Sequence, residues 1–239
     1  MSRGAETIYG TPAGLDPIAV TNEKGDFEIT NSDPMLKMAL VVEPRAMAPK
    51  FAILPTGPER HTIRVSDGAI VRGRLTENGK PFASAEIGLS PRQSWLGKPN
   101  LIISGSFYQE MRIGTKEDGT FAITGVPFQE DWSIYGKMES ISSRGATAPI
   151  AVTTAHDGQD VNVGDIPIKR GFRLRGKVVL SDQKPMPDGM TIFISSDITR
   201  DAKTVPLAHD GTFEFVGLAA GNYSLGPAVR GYSPPKRQD

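Results

Sequence analysis

The sequence predicts an all-β fold built from small sandwich modules in tandem. Three observations predict it: turn residues are scattered along the whole chain, apolar residues alternate with period two, and one strand-turn-strand pattern recurs. The 26 glycines and 19 prolines in 239 residues punctuate short segments and do not gather into a single tract. Hydrophobic residues make up 38% of the chain, enough for two or three ordinary cores. No stretch sustains a helical period.

The recurrence is clearest in DGTFAITGVP from Asp118 and DGTFEFVGLAAG from Asp210, with a weaker copy, KGDFEITNSDP, from Lys24. A glycine after a polar residue suits a tight turn. The alternation beyond it places Phe121 and Ile123, Phe213 and Phe215, and Phe27 and Ile29 on one face of a strand entering a core. Before the two full copies stand GAIVRGRLTENGKPFASAEIGL from Gly68 and GFRLRGKVVLSDQKPMPDGMTIFIS from Gly171, each read as strand, polar turn, strand. Asn78-Gly79 and Asp188-Gly189 supply the turn chemistry. Phe172, Leu174 and Val178 share one parity, as do Ala83, Ala85, Ile87 and Leu89, the mark of a half-buried sheet.

After each hairpin comes an element carrying an Arg, a small-residue stretch and a Pro, at Arg45 to Pro49, Arg144 to Pro149 and Arg230 to Pro234. Recurrence gives these arginines a structural task, satisfying carbonyls at a loop end or pairing with an acidic turn of the neighbouring module. A closing strand then leads into the next copy, HTIRVSDG from His61 and VNVGDIPIKRG from Val161. Arg72, Arg74, Arg173 and Arg175 are expected at solvent-facing or edge positions, where charge discourages strand pairing between molecules.

These boundaries predict a partial module over 1–66, a complete one over 67–169, and one lacking its last strand over 170–239. The segment from Asp165 to Gly171 runs from strand to strand, so little freedom is expected between the last two modules. The opening MSRGAETIYGTPAG has no apolar core and does not read as a secretion signal. With both end modules incomplete, the chain reads as a piece of a longer array whose neighbouring domains are its first partners.

The combination of G-x-V-x-G, a Gly/Pro turn, a small-residue strand, DG-x-F-x-F-x-G-[LV] and an aromatic-led strand resembles the carboxypeptidase regulatory-like domain. The resemblance covers most of residues 68–235 and part of 18–66. It implies an Ig/transthyretin-like Greek-key β-sandwich, grouped with carbohydrate-binding-like folds, that serves as an accessory to extracytoplasmic bacterial proteins and carries no active site. The insert from Pro91 to Ile113 departs from that pattern and has no counterpart in the third copy.

Several chemistries are excluded or unsupported. Lys plus Arg and Asp plus Glu number 27 each, so no long-range field draws the chain to nucleic acid or anionic membrane. The chain has no cysteine, which removes disulfides, thiolate metal sites and cysteine nucleophiles. No apolar run is long enough to span a membrane. His156 and His209 fall in His-Asp-Gly turns and His61 stands apart, a pattern of turns and not of clustered metal ligands. Glu117-Asp118 lacks the dense acidic ladder of a calcium loop. No nucleophile elbow, phosphate loop or dinucleotide fingerprint occurs, so no enzyme activity and no cofactor are expected.

The aromatics divide. Trp132 aligns with Tyr223 between copies and shares parity with Ile134 and Met138, as a core anchor would. Tyr135 falls on the opposite parity and is expected to be exposed. Trp95, Phe107 and Tyr108 lie in the insert among Ser, Asn and Gln, a composition that stacks on sugar rings or closes the end of a module. The leading reading is a non-catalytic spacer or protein-interaction module. The alternatives are a carbohydrate-binding module using Trp95, Phe107, Tyr108 and Tyr135 on a polysaccharide, and a hydrolase-associated domain with a site of its own.

Overall fold

A computed structural model describes residues 18–30, 37–92 and 110–232. The fold is all-β, with a single four-residue helix among the described residues. The chain first forms a hairpin of β1 (Lys37–Val42) and β2 (Lys50–Pro55). It continues through β3 (Ala69–Glu77), β4 (Lys80–Pro81), β5 (Glu86–Pro91), β6 (Met111–Gly114), β7 (Thr120–Val126) and β8 (Glu130–Gly136). After the helix α1 (Met138–Ile141) come β9 (Ile150–Thr154) and β10 (Asp160–Ile168). The last stretch holds β11 (Phe172–Lys177), β12 (Thr191–Ser196), β13 (Ala202–Pro206), β14 (Thr212–Leu218) and β15 (Tyr223–Ala228).

Two sandwiches result. In the first, β3 lies between a parallel β10 and an antiparallel β7, facing a second sheet of order β6-β5-β8-β9. Val71, Leu75, Phe121 and Ile166 from one sheet meet Ile87, Leu89, Trp132 and Ile134 from the other in a single core. Each such fully buried aliphatic side chain stabilises the sandwich by about 1.5–3 kcal/mol. In the second, β11 pairs with β14 and faces a sheet of order β13-β12-β15, around Ile192, Ile194, Phe215 and Leu218.

The repeated sequence produces the same register twice. Val71 stands opposite Ile123 and Gly73 opposite Phe121; Leu174 stands opposite Phe215 and Gly176 opposite Phe213. Both ladders shift at the same place, where Gly125 and Gly217 take φ of 69° and 67°. The DGT turns match to the atom. Asp118 Oδ1 accepts from the Thr120 amide at 3.0 Å and its hydroxyl at 2.6 Å, and Asp210 Oδ1 from the Thr212 amide at 3.0 Å and hydroxyl at 2.7 Å. Asn78 and Gly79, with φ of 53° and 77°, make the two-residue turn expected of an Asn-Gly pair.

The first copy departs from expectation. Residues 24–30 form no strand, and Phe27 is 37% exposed instead of entering a core. Asn22 Oδ1 holds a local turn through the Lys24 and Asp26 amides, but among the described residues no strand lies alongside to pair with residues 27–30. HTIRVSDG likewise joins no ladder. Alternation alone does not make a strand without a neighbour for its backbone groups.

The arginines behave in three ways. Arg72 and Arg74 face solvent from a central strand and pair with Asp160 at 2.7 Å and Asp165 at 2.8 Å on β10. Arg173 and Arg175 share Glu214 on β14. Arg144 forms a two-pronged bond to Glu77 at 2.9 and 2.5 Å, within its own sandwich and not to the neighbouring module as expected, whereas Arg45 and Arg230 form no ion pair among the described residues.

Candidate functional site

The most elaborate polar constellation among the described residues lies where the two sandwiches meet. Strand β8 ends at Gly136, and Lys137 begins the turn into α1, its side chain only 4% exposed. An ammonium so buried requires partners. Its Nζ donates to Glu110 Oε1 at 2.6 Å and to Asp201 Oδ1 at 2.9 Å. Asp201 belongs to the second sandwich, where a turn with Arg200 at φ 56° presents it, and its other oxygen accepts the Met138 amide at 2.7 Å. Arg112 reaches Glu110 from the first sandwich at 2.6 Å. Two cations and two carboxylates therefore sum to zero charge.

Electrostatics separates the two carboxylates. Burial pushes the Asp201 carboxyl above its ordinary value, against the Met138 amide and Lys137, which favour the anion. Burial pushes Glu110 the same way, but hydrogen bonds from Lys137, Tyr135 and Arg112 outweigh it and hold the carboxyl below its ordinary value. Burial, then the Glu110 carboxylate, drive the Tyr135 hydroxyl far up, so it remains a donor.

Tyr135 corrects the sequence reading. Its parity is opposite to that of Trp132 and Ile134, as expected, yet it is 2% exposed. The outer face of β8 is covered: the hydroxyl donates to Glu110 and lies 3.3 Å from the Thr199 carbonyl of the second sandwich. Its ring lies over Gly88, where a Cβ would collide with it at 2.8 Å. Trp132 is fully buried, and its indole N–H donates to Thr154 Oγ1 at 3.1 Å. Trp95, Phe107 and Tyr108 lie outside the described residues.

The junction is sealed beyond the ionic cluster. Met138 leaves its own sandwich and packs into the core of the next, 7% exposed beside Ile194 and Phe215. Lys203 Nζ bonds Ser142 Oγ. Gly217 presses on the Ser142–Gly145 loop so closely that a Cβ would come within 2.7 Å of the Gly145 carbonyl oxygen and nearer still to Ser142. A cleft remains beside Tyr135, Met138, Asp201, Gly217 and Tyr223, of about 30 Å³, room for one or two waters and far below a substrate pocket.

The histidines lie apart in chain and role. His61 Nε2 contacts the Pro55 carbonyl at 3.0 Å, His156 Nδ1 the Asp157 carbonyl at 3.0 Å, and His209 stands 3.9 Å from Asp188. Among the described residues no three His, Asp or Glu side chains gather as metal ligands. No helix among them is long and apolar enough to cross a membrane.

Neither a protein-family model nor a curated protein matches this chain. Among solved structures it is similar to the Bacillus anthracis TIE protein at 13% identity and TM-score 0.31, covering 92% of this chain and 41% of that one. It is similar to a Streptococcal ancillary pilin at 14% identity and TM-score 0.30, covering 83% and 70%. A DUF3823 family protein from Parabacteroides merdae is matched at 12% identity and TM-score 0.30, over 69% and 81%. The chain spans about two fifths of the TIE protein's length.

The sequence reading missed Lys137, Glu110 and Asp201. One signal was present, a lysine directly after the apolar strand WSIYG. Its partners lie 27 residues upstream and 64 downstream, and no local pattern connects them.

Proposed function

We propose that this chain is a non-catalytic run of β modules, a partial one over 1–66, a complete sandwich over 67–169 and one lacking its last strand over 170–239, that spaces or presents neighbouring domains of a larger extracytoplasmic protein, as a carboxypeptidase regulatory-like module does. One observation carries this reading: the two successive junctions are built alike. The Ala48 amide donates to the Ser66 carbonyl at 2.9 Å, two residues before Gly68. The Ala146 amide donates to the Lys169 carbonyl at 2.9 Å, two residues before Gly171. Both alanines sit in the recurrent Arg-to-Pro element. That element, with Ser142 just before it in the second case, leans on the bulge glycine of the next unit, Met47 and Ala48 against Gly125, Ser142 and Gly145 against Gly217. A repeated contact of this kind supports a fixed step from unit to unit, the property a spacer needs.

Small-angle scattering of the whole chain tests it. A narrow distribution of distances between the units, broadened by Lys137→Ala, is the expected result; a broad distribution in the unaltered chain overturns the proposal.

A further inference from the structure

The geometry points to a covalent step at the junction: Lys137 Nζ condenses with the side-chain carboxyl of Asp201 to form an amide that joins the two sandwiches, with Glu110 carrying the proton. Before that step the three residues form an ionic latch. The reaction runs once per molecule and turns over no substrate, so it goes beyond the spacer reading and does not depend on it. Proximity is the first requirement, and the fold supplies it. Nζ lies 2.9 Å from Asp201 Oδ1, between side chains only 4% and 3% exposed. Each partner is fixed by its own unit, Lys137 by the turn from β8 into α1 and Asp201 by a turn in which its amide donates to Thr199 Oγ1 at 3.2 Å. Reacting groups held in contact in good orientation behave as if at effective concentrations of roughly 10⁵–10⁸ M.

Lys137 touches two carboxyl groups, and their surroundings divide the work. Glu110 accepts from Lys137 Nζ at 2.6 Å, from Arg112 Nε at 2.6 Å and from the Tyr135 hydroxyl. These donors hold it as an anion, a poor target for a nucleophile and a ready acceptor for a proton. Burial drives Asp201 toward its neutral form, the form that an amine attacks. Its Oδ2 accepts the Met138 amide at 2.7 Å, a donor already aimed at the oxygen on which negative charge would gather. Dryness favours the product. The Tyr135 ring centroid stands 5.9 Å from Nζ, and buried Met138 and Thr199 close the site. Two ions withdrawn from water are costly there, whereas an amide carries no charge. The cleft of about 30 Å³ that Asp201 helps to line has room for the released water.

The steps balance. Nζ passes one proton to Asp201 Oδ1, leaving a neutral amine and a neutral carboxyl. The Nζ lone pair then attacks Cγ, and the C=O electron pair moves onto Oδ2. Glu110 takes a second proton from Nζ and returns it to Oδ1. The Cγ–Oδ1 bond breaks, Oδ1 leaves as water, and the C=O bond re-forms at Oδ2. Of the three ammonium protons one remains on the amide nitrogen and two depart with the water. Nothing is oxidised or reduced, and Glu110 ends ionised as it began.

Intact-mass spectrometry of the full chain under denaturing conditions tests this. The expected mass is one water below that of the sequence, with a tryptic fragment in which Lys137 is joined to Asp201 and the bond after Lys137 is uncut. Lys137→Arg keeps a cation in the cluster and should restore the full mass. Glu110→Gln should do the same in a chain that circular dichroism shows to be folded. Full mass in the unaltered chain after prolonged incubation at neutral pH overturns the proposal. So does a link mapped to Glu110, or a water loss that persists in Lys137→Arg, as ring closure at an Asp-Gly pair such as Asp118-Gly119 would give. Complete condensation in Glu110→Gln overturns the part given to Glu110. A chain of full mass can still show a fixed junction by scattering, so the spacer reading stands or falls separately.

Discussion

The two sandwiches share strands, register, bulge and turn, yet differ in how their surfaces are closed. The first has β10 along one sheet and β9 along the other, and its outer face is roofed by the Thr199 to Asp201 turn of its neighbour. The second has neither additional strand among the described residues, and Phe172, Phe193 and Leu225 stand 64%, 43% and 46% exposed. The difference shows that the shared strands alone leave apolar side chains exposed that β9, β10 and the neighbouring turn accompany in the first sandwich. Covering the outer face of the first sandwich depends on residues of its neighbour, so its stability belongs to the junction as much as to the core.

The junction should therefore break the comparison most strongly. Lys137→Ala leaves Asp201 buried and Glu110 half-buried without their shared cation, a loss of about 3–5 kcal/mol. Urea unfolding should change from one coupled transition to two, with Trp132 reporting the first sandwich alone. The carboxylates add a pH dependence of opposite signs. Glu110, held below its ordinary value near 4.5, contributes stability that is present above that pH and is lost as pH falls through its folded value. Asp201, raised above 3.8, favours the folded state when protonated, a contribution that fades as pH rises. Glu110→Gln should flatten the loss of stability on acidification, and Asp201→Asn should steepen it; unchanged titrations in both variants would refute the assignment.

A gentler contrast uses the paired bulge glycines. Alanine at either must adopt positive φ, costing about 1–2 kcal/mol. At Gly125 the nearest atom to a new Cβ is the Met47 carbonyl oxygen at 3.4 Å, an ordinary contact. At Gly217 it would overlap the Ser142 backbone. Gly217→Ala should then cost about 2–3 kcal/mol more than Gly125→Ala and loosen the junction, because backbone on both sides has to move. Equal effects by calorimetry would show that the close approach at Gly217 relaxes freely.

Much of this was legible in sequence because period-two alternation and turn chemistry act over a few residues. DGT turns, the Asn78-Gly79 turn and the buried parity of Ile87, Leu89, Phe121 and Ile123 all arise from local rules. The strand from residue 24 failed because a ladder requires a neighbour, which alternation does not specify. Tyr135 had the right parity and the wrong exposure for a related reason: parity chooses a face, and a different unit decides whether that face is wet. The Lys137 cluster was hidden for want of any sequence spacing between groups recruited from two sandwiches.

The smallest predicted effect examines that last point at a single cross-strand pair. In the first sandwich Gly88 stands opposite Tyr135; in the second, the matching pair is Phe193 opposite Gly226, with aromatic and glycine exchanged between strands. Both rings cover the glycine across from them, since a Cβ on Gly226 would strike the Phe193 ring as one on Gly88 would strike Tyr135. Their surroundings differ, for Tyr135 is roofed and hydrogen-bonded while Phe193 is 43% exposed. Tyr135→Phe should cost about 1.5 kcal/mol by removing a donor to a half-buried carboxylate. Phe193→Ala should cost at most about 1 kcal/mol, the value of one cross-strand contact. If Phe193→Ala proved the more damaging in urea unfolding, the outer face of the second sandwich would have to be covered in solution by something that binds over Phe193.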